Sequence, residues 1–182
     1  NWGITRDKKI ILMPGRLTRW KGQEIFIEAL SLVNKQLGPQ SFCAVVLGSD
    51  QGRNVYSKKI KRLAEQYRLI PQLKFIEHCQ NMPLAYKVSS LVVSASIEPE
   101  AFGRVSIEAQ SMEKPIIASD IGGSNETIID NVSGFLFESS NPVSLSKKII
   151  EVLNLNESRL KLIGIEGRKN IIKKFNVEKM CF

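Results

Sequence analysis

Ile10-Ile-Leu-Met13 is followed by the turn-forming, cation-rich Pro14-Gly-Arg-Leu-Thr-Arg-Trp-Lys-Gly22, then by Glu24–Leu37, then by a second apolar run, Ala44-Val-Val-Leu47. Short apolar runs without polar alternation read as strands buried on both faces. Glu24–Leu37 puts Ile25, Phe26, Ala29, Leu32 and Val33 on one side of a helical repeat, which reads as an amphipathic helix. Strand, helix and strand joined by short turns make a βαβ unit, and its strands run parallel.

The alternation continues outward from this unit. Strand-like runs recur at Leu73–Ile76, Leu91–Val93, Ile116–Ala118 and Phe135–Phe137. Helical patterns fill the gaps at Asn54–Tyr67, Met82–Val88, Gly103–Met112, Ser124–Ile129 and Pro142–Leu153, and a last one runs from Glu157 to about Phe175. The expected fold class is α/β, a doubly wound, mostly parallel sheet with helices on both faces. No repeat, low-complexity tract or Pro/Gly-rich linker divides it, so residues 1–182 read as one domain. Ligands of such sheets bind at the carboxyl ends of the strands, which directs attention to the loops there.

Composition narrows the function classes. The chain has 182 residues, 43% hydrophobic and 24% charged, and a formal net charge of +8. That balance excludes disorder, and no apolar run is long enough to span a bilayer. The excess of cations serves either a solvated surface or an anionic partner. The chain starts at Asn1 and ends at Met180-Cys181-Phe182 without a helix stop, so it reads as a piece of something longer. Cys43, Cys79 and Cys181 are too scattered for a disulfide framework and read as free thiols. The sole histidine, His78, has only Glu77 and Cys79 beside it, which is not metal-ligand spacing.

Four loops remain as candidates. The first, Pro14–Gly22, puts Arg16, Arg19 and Lys21 beside a helix start, as either a phosphate site or a solvated basic turn. The second, Leu47-Gly-Ser-Asp-Gln-Gly-Arg53, allows close backbone approach through Gly48 and also reads as an ordinary turn. The third is Ser94-Ala-Ser-Ile-Glu-Pro-Glu100-Ala-Phe-Gly-Arg-Val-Ser-Ile-Glu108-Ala109. It sets Glu100 before a helix and Glu108 about one turn inside it. Two carboxylates there accept from vicinal hydroxyls, or merely complement the helix dipole. The N–H groups of Phe102, Gly103 and Arg104 face whatever docks at that helix start. The fourth, Asp120-Ile-Gly-Gly-Ser-Asn-Glu126, lets a loop hug a ligand or simply turn.

In this order, the four loops resemble the nucleotide-sugar-binding half of the retaining, group 1 (family 4) glycosyltransferases of the GT-B fold. The likeness runs from Gly15-Arg16-Leu17…Lys21-Gly22 to Phe175 and is most specific in the E-x₇-E pair, Glu100 and Glu108. It implies a Rossmann-like domain that binds a nucleoside diphosphate sugar. Gly15, Arg16 and Lys21 match the segment that neutralises the donor diphosphate. Glu100 matches the acid on the transferred sugar, and Glu108 the acid on the ribose. Ala101, Phe102, Gly103 and Arg104 match the loop that grips sugar and phosphate, and Gly48 belongs to the same donor-binding set. Glu77-His78-Cys79 match the backbone lining the nucleobase pocket. Arg16, Lys21 and Glu100 are the implied catalytic residues. Two departures stand out: Ala101 and Glu113 occupy positions where glycine is usual, and Glu113 is expected to alter a helix end rather than the site.

The narrower likeness of Pro99-Glu-Ala-Phe-Gly-Arg-Val105 is to members acting in bacterial cell-envelope or lipopolysaccharide glycan synthesis. The resemblance implies transfer to an acceptor hydroxyl with retention, no metal or other cofactor (there is no Asp-x-Asp), and a glycan or lipid-linked acceptor held by an N-terminal domain absent here. It also implies a cytoplasmic enzyme, with peripheral contact at the inner face of the membrane, and a separated chain that transfers little or no sugar. The alternative is a non-catalytic nucleotide-sugar-binding module or the orphaned half of a split transferase. A glycosidase pair would need carboxyls facing each other about 5–10 Å apart across a sugar, unlike one loop and its adjoining helix. Nucleic acid is not an expected partner, since Lys58, Lys59, Lys61 and Arg62 have no aromatic stacking platform.

Overall fold

Alternate residues of the central strands feed two separate cores, which explains why their sequences are continuously apolar. A computed structural model describes residues 2–5, 7–52 and 54–175; Asn1, Arg53 and the Met180-Cys181-Phe182 end lie outside the described residues. The strands are β1 (Lys9–Pro14), β2 (Phe42–Leu47), β3 (Leu73–Ile76), β4 (Leu91–Ser94), β5 (Ile116–Ser119) and β6 (Phe135–Phe137). Ile11 and Met13 pack into the core on one face of the sheet with Phe26, Leu30 and Ile149, while Leu12 packs on the other with Tyr86 and Ala109. Each such side chain taken from water contributes roughly 1.5–3 kcal/mol.

All six strands are parallel, in the order β3-β2-β1-β4-β5-β6. The register sets Ile11 between Ala44 and Leu91. The chain winds outward from β1 to β3, returns to the centre, and winds the other way from β4 to β6. The loops leaving β1 and β4 therefore diverge, and a crevice opens above their carboxyl ends.

The helices are α1 (Gln23–Leu37), α2 (Asn54–Gln66), α3 (Met82–Val88), α4 (Arg104–Ser111), α5 (Ser124–Thr127), α6 (Pro142–Asn154) and α7 (Glu157–Lys174). Caps fix several starts: Asn81, Asn141 and Asn156 each accept from backbone N–H groups of the first turn. The buried stripe of α1 differs from the expected one. Ile25 and Leu32 are only half-buried, whereas Ile27 and Leu30 are fully buried, because α1 is flanked by both α6 and α2. Helix α5 is a single turn that stops at Thr127, since Ile128 already has extended backbone. Glu113 has φ of 55° just past the end of α4, opposite to the end that meets the crevice. Its carbonyl is crossed closely by α7 at Gly164, where a β-carbon would lie 2.1 Å from that oxygen. Among the described residues no helix is long and apolar enough to cross a membrane, and Cys43 and Cys79 are free thiols.

A buried polar network fastens α7 to the third loop's helix. Gln110 Nε2 donates to the carbonyls of Ser106 (3.1 Å) and Thr127 (2.9 Å). Asn170 Nδ2 donates to the Thr127 carbonyl (2.8 Å) and to Gln110 Oε1 (3.3 Å). Truncating Asn170 strands that buried amide oxygen, a loss of about 1–3 kcal/mol. Asn170→Ala is therefore expected to lower the urea midpoint without changing its slope. An unshifted midpoint would show that water replaces the amide and that α7 is held by packing alone.

Candidate functional site

Close backbone contacts assemble the crevice. Gly15 N–H donates to the Leu47 carbonyl (2.9 Å) and Leu17 N–H to that of Ser49 (3.1 Å), tying the loop after β1 to the loop after β2. A β-carbon on Gly48 would lie 2.0 Å from the Gly15 oxygen, so glycine there lets the two backbones touch. A 3₁₀ turn over Arg19–Lys21 then ends at Gly22 in left-handed conformation, φ 74°. Gly22 abuts the Ala95 carbonyl just beyond β4, and Ile97 N–H donates to the Trp20 carbonyl (2.8 Å). The loops after β1 and β4 are thus locked together.

This lock delivers Lys21 to Glu100, with Nζ 2.8 Å from Oε1 and both side chains largely covered. Ser96 Oγ donates to the same oxygen. The Lys21 ammonium also lies 4.4 Å from the centre of the Trp20 ring, and the Arg16 guanidinium 5.9 Å from it. Trp20 is a shared cation–π floor for both cations. Beneath them, Gln23 Nε2 donates to the Arg16 carbonyl (2.9 Å), and Gln23 Oε1 accepts from the Tyr56 hydroxyl (3.3 Å). Burial, and then the charge of Glu24, push the Tyr56 phenol above its ordinary range, so it remains a donor.

The opposite wall is α4. It begins after Gly103, whose φ is 65°, with no side-chain cap; the Ser106 N–H turns back to the Gly103 carbonyl (2.9 Å), and the N–H groups before it are left for a ligand. Glu108 Oε2 accepts from Tyr86 OH at 2.6 Å. Tyr86 is 2% exposed; burial first, then the bond to Glu108 and its charge, push the phenol well up. The loop after β5 serves as a brace. Gly123 N–H donates to the Glu100 carbonyl (2.8 Å), and a β-carbon on Gly122 would meet that carbonyl at 2.7 Å. The paired glycines hug the third loop's backbone, not the cavity.

The crevice holds an open cavity of about 470 Å³. Gly15, Arg16, Lys21, Glu100, Ala101, Phe102, Gly103, Arg104 and Glu108 all line it, together with Trp20, Met82 and Tyr86. Three cations (Arg16, Lys21 and Arg104), two held carboxylates and an uncapped helix start can take a ligand that carries both anionic and hydroxylated parts. Gly48, Glu77, His78 and Cys79 do not line this cavity. Gly48 ties the neighbouring loop to β3 through its N–H and the Ile76 carbonyl (2.8 Å), and Glu77 and His78 follow β3 as exposed residues. Cys79 is half-buried, its thiol directed at the Asn81 carbonyl. Ala101 fits its turn without a positive φ. In the second loop Asp50 accepts from Ser57 Oγ and Gly52 N–H, which hold its carboxyl below the usual range and make it an ordinary turn before α2. Among the described residues no three His, Cys, Asp or Glu side chains converge as a metal site.

Trp20, Gln23, Tyr56, Met82, Tyr86 and Ser96 belong to the site without a role read from the sequence. A tryptophan between Arg19 and Lys21 was a local signal for a cation floor, and a serine four residues before Glu100 was another. Tyr86 meets Glu108 across 22 positions, and no local pattern points to that pair.

The profile of the family described as Glycosyl transferases group 1 matches residues 1–169. An uncharacterized glycosyltransferase of Methanocaldococcus jannaschii is 32% identical over 95% of this chain and 46% of its own length. A Rickettsia africae glycosyltransferase structure superposes with a TM-score of 0.88 at 35% identity, over 96% of this chain and 45% of that one. Anabaena HepE, solved in complex with UDP-glucose, superposes with a TM-score of 0.87 at 28% identity, over 96% of this chain and 46% of that one. The chain spans about half the length of the curated relatives it matches. Its Rossmann-like sheet is the architecture of one half of a GT-B glycosyltransferase. The chain belongs to the group 1 glycosyl transferases.

Proposed function

We propose that this chain binds the donor of a retaining glycosyltransferase, a nucleoside diphosphate sugar, in the cavity between the β1 loop and α4. The observation that carries the reading is the convergence of Arg16, Lys21, Glu100 and Glu108 on one cavity at an uncapped helix start. Arg16, Lys21 and the N–H groups of Phe102, Gly103 and Arg104 take the diphosphate. Glu100 accepts from hydroxyls of the sugar, and Glu108 from the ribose. The base lies toward the main chain of Glu77-His78-Cys79, reached past Gly48. That HepE was solved with UDP-glucose supports a nucleotide-sugar donor.

In the reaction the anomeric C–O bond to the diphosphate breaks and a bond to the acceptor oxygen forms on the same face of the sugar, the acceptor's hydroxyl proton passing to the departing diphosphate. Negative charge grows on the departing diphosphate, where the two cations and the α4 dipole stabilise it. Removing one such group raises the barrier by about 3–4 kcal/mol. The cations take the part that a metal plays in other transferases, so the reaction needs none. The acceptor is a glycan or lipid-linked glycan of the cell envelope, held by a further domain. The enzyme works in the cytoplasm, against the inner face of the membrane.

Calorimetric titration with UDP, GDP and ADP and their sugar conjugates, with and without Mg²⁺, tests this. One nucleotide is expected to bind selectively, indifferent to Mg²⁺, and to weaken on Arg16→Ala and Glu108→Ala. This chain alone is expected to transfer no sugar above a Glu100→Ala control. Failure of a folded chain to bind any of these ligands would sink the proposal.

A further inference from the structure

Both acids of the cavity accept from hydroxyls: Glu108 from Tyr86 of α3, Glu100 from Ser96 four residues earlier in its own loop. At Glu100 the arrangement has a consequence for binding. Lys21 and Ser96 bond to the same oxygen, Oε1, which leaves the lone pairs of Oε2 for a ligand hydroxyl. Without ligand, then, the ammonium meant for the diphosphate is engaged by the carboxylate meant for the sugar. An entering diphosphate, with at least two negative charges against the single charge of Glu100, draws that ammonium away. Lys21 can follow, since its ammonium is carried on a flexible four-carbon stem.

The hydroxyl of Ser96 has no such freedom. Ser96 is 4% exposed. Its two neighbours are fixed to the β1 loop, Ala95 by the close approach of Gly22 and Ile97 by its bond to Trp20. Its bond to Glu100 therefore survives the departure of Lys21.

We infer that Ser96 is a positioning residue that keeps Glu100 aimed at the sugar after Lys21 has turned to the diphosphate. It acts only through Glu100, and only on the sugar-bearing ligand. The inference rests on the donor-binding reading above.

The test is a double-mutant cycle on this chain with Ser96→Ala, Glu100→Gln and the pair, titrated with UDP, GDP, ADP and their glucose conjugates. Ser96→Ala is expected to leave the best-binding diphosphate within about twofold and to weaken its glucose conjugate about tenfold, the effect of one hydrogen bond to a charged group. In the Glu100→Gln background the same change is expected to have no further effect. Ser96→Gly repeats the measurement should alanine pack poorly. Equal weakening of diphosphate and conjugate, or the same loss without the Glu100 carboxylate, would give Ser96 a purely structural part and overturn the inference while leaving donor binding intact. No binding of any of the six ligands by the folded parent chain would overturn the donor-binding reading, and this inference with it.

Discussion

Gly22→Ala is expected to destabilise the chain by about 2–5 kcal/mol, the sum of a left-handed backbone penalty and an overpacking term. Gly22 has φ of 74° and ψ of 28°, and a β-carbon there would sit 1.8 Å from the Ala95 oxygen and 2.8 Å from its carbonyl carbon. Both obstacles are backbone, at the root of the loop that carries Glu100, so no side-chain rotation relieves them. The β1 and β4 loops must separate, which strains the Ile97–Trp20 bond and moves Lys21 from Glu100. Gly103→Ala is the matched control. Gly103 has φ of 65° and ψ of 51°, in the same left-handed region, and a β-carbon there would meet nothing closer than 3.7 Å. It should lose only the conformational part, about 1–2 kcal/mol. Urea unfolding of the two variants separates the terms, and equal losses would mean that the loops are not locked at Gly22.

The same contact shows why the fold was more legible than the site. Strand and helix assignments rest on patterns within one segment, and these survive folding well. Leu73–Ile76, Met82–Val88 and Phe135–Phe137 have the bounds expected from sequence. Asn81 and Pro83 mark the start of α3 in the sequence itself, as Asn141 and Pro142 mark that of α6. Where a neighbour decides, the pattern gives less. The burial of α1 is rotated because helices flank it on two sides, and α5 stops early because Ile128 turns into extended backbone. The 3₁₀ turn at Arg19–Lys21 is one turn long and carries no periodicity to detect. The order of strands that makes a crevice between β1 and β4 is not written in any single segment either.

For the site, the side chains that line the cavity sit in the Arg16…Lys21 and Glu100…Glu108 segments, which are conspicuous in the sequence. What holds them in place is not. Tyr86 reaches Glu108 from another helix, Tyr56 reaches Gln23 across 33 positions, and Gly123 braces Glu100 from the loop after β5. These supports are long-range contacts between residue types common in any α/β domain. They acquire meaning only once the strands are stacked side by side.

Lys21→Ala is expected to weaken the best-binding nucleoside diphosphate by about 10- to 100-fold, and Arg16→Ala by clearly less. A hydrogen bond from an ionised donor contributes about 1.5–3 kcal/mol, and each 1.4 kcal/mol is tenfold in affinity. Which cation matters more follows from their surroundings. The Lys21 side chain is 14% exposed, on the face of Trp20 and against Glu100. Arg16 is exposed, so water and salt screen its charge. Removing Lys21 has a second effect, because Glu100 is then a carboxylate without its ammonium beside an incoming dianion. Adding Glu100→Gln to Lys21→Ala should therefore recover part of the lost diphosphate affinity, although neither change adds a favourable contact. In the parent chain, raising the salt concentration should erode the Arg16 contribution before that of Lys21. Titration calorimetry of the single and double variants at two salt concentrations reads all of this. A larger loss from Arg16→Ala, or no recovery in the double variant, would show that the diphosphate does not compete with Glu100 for Lys21.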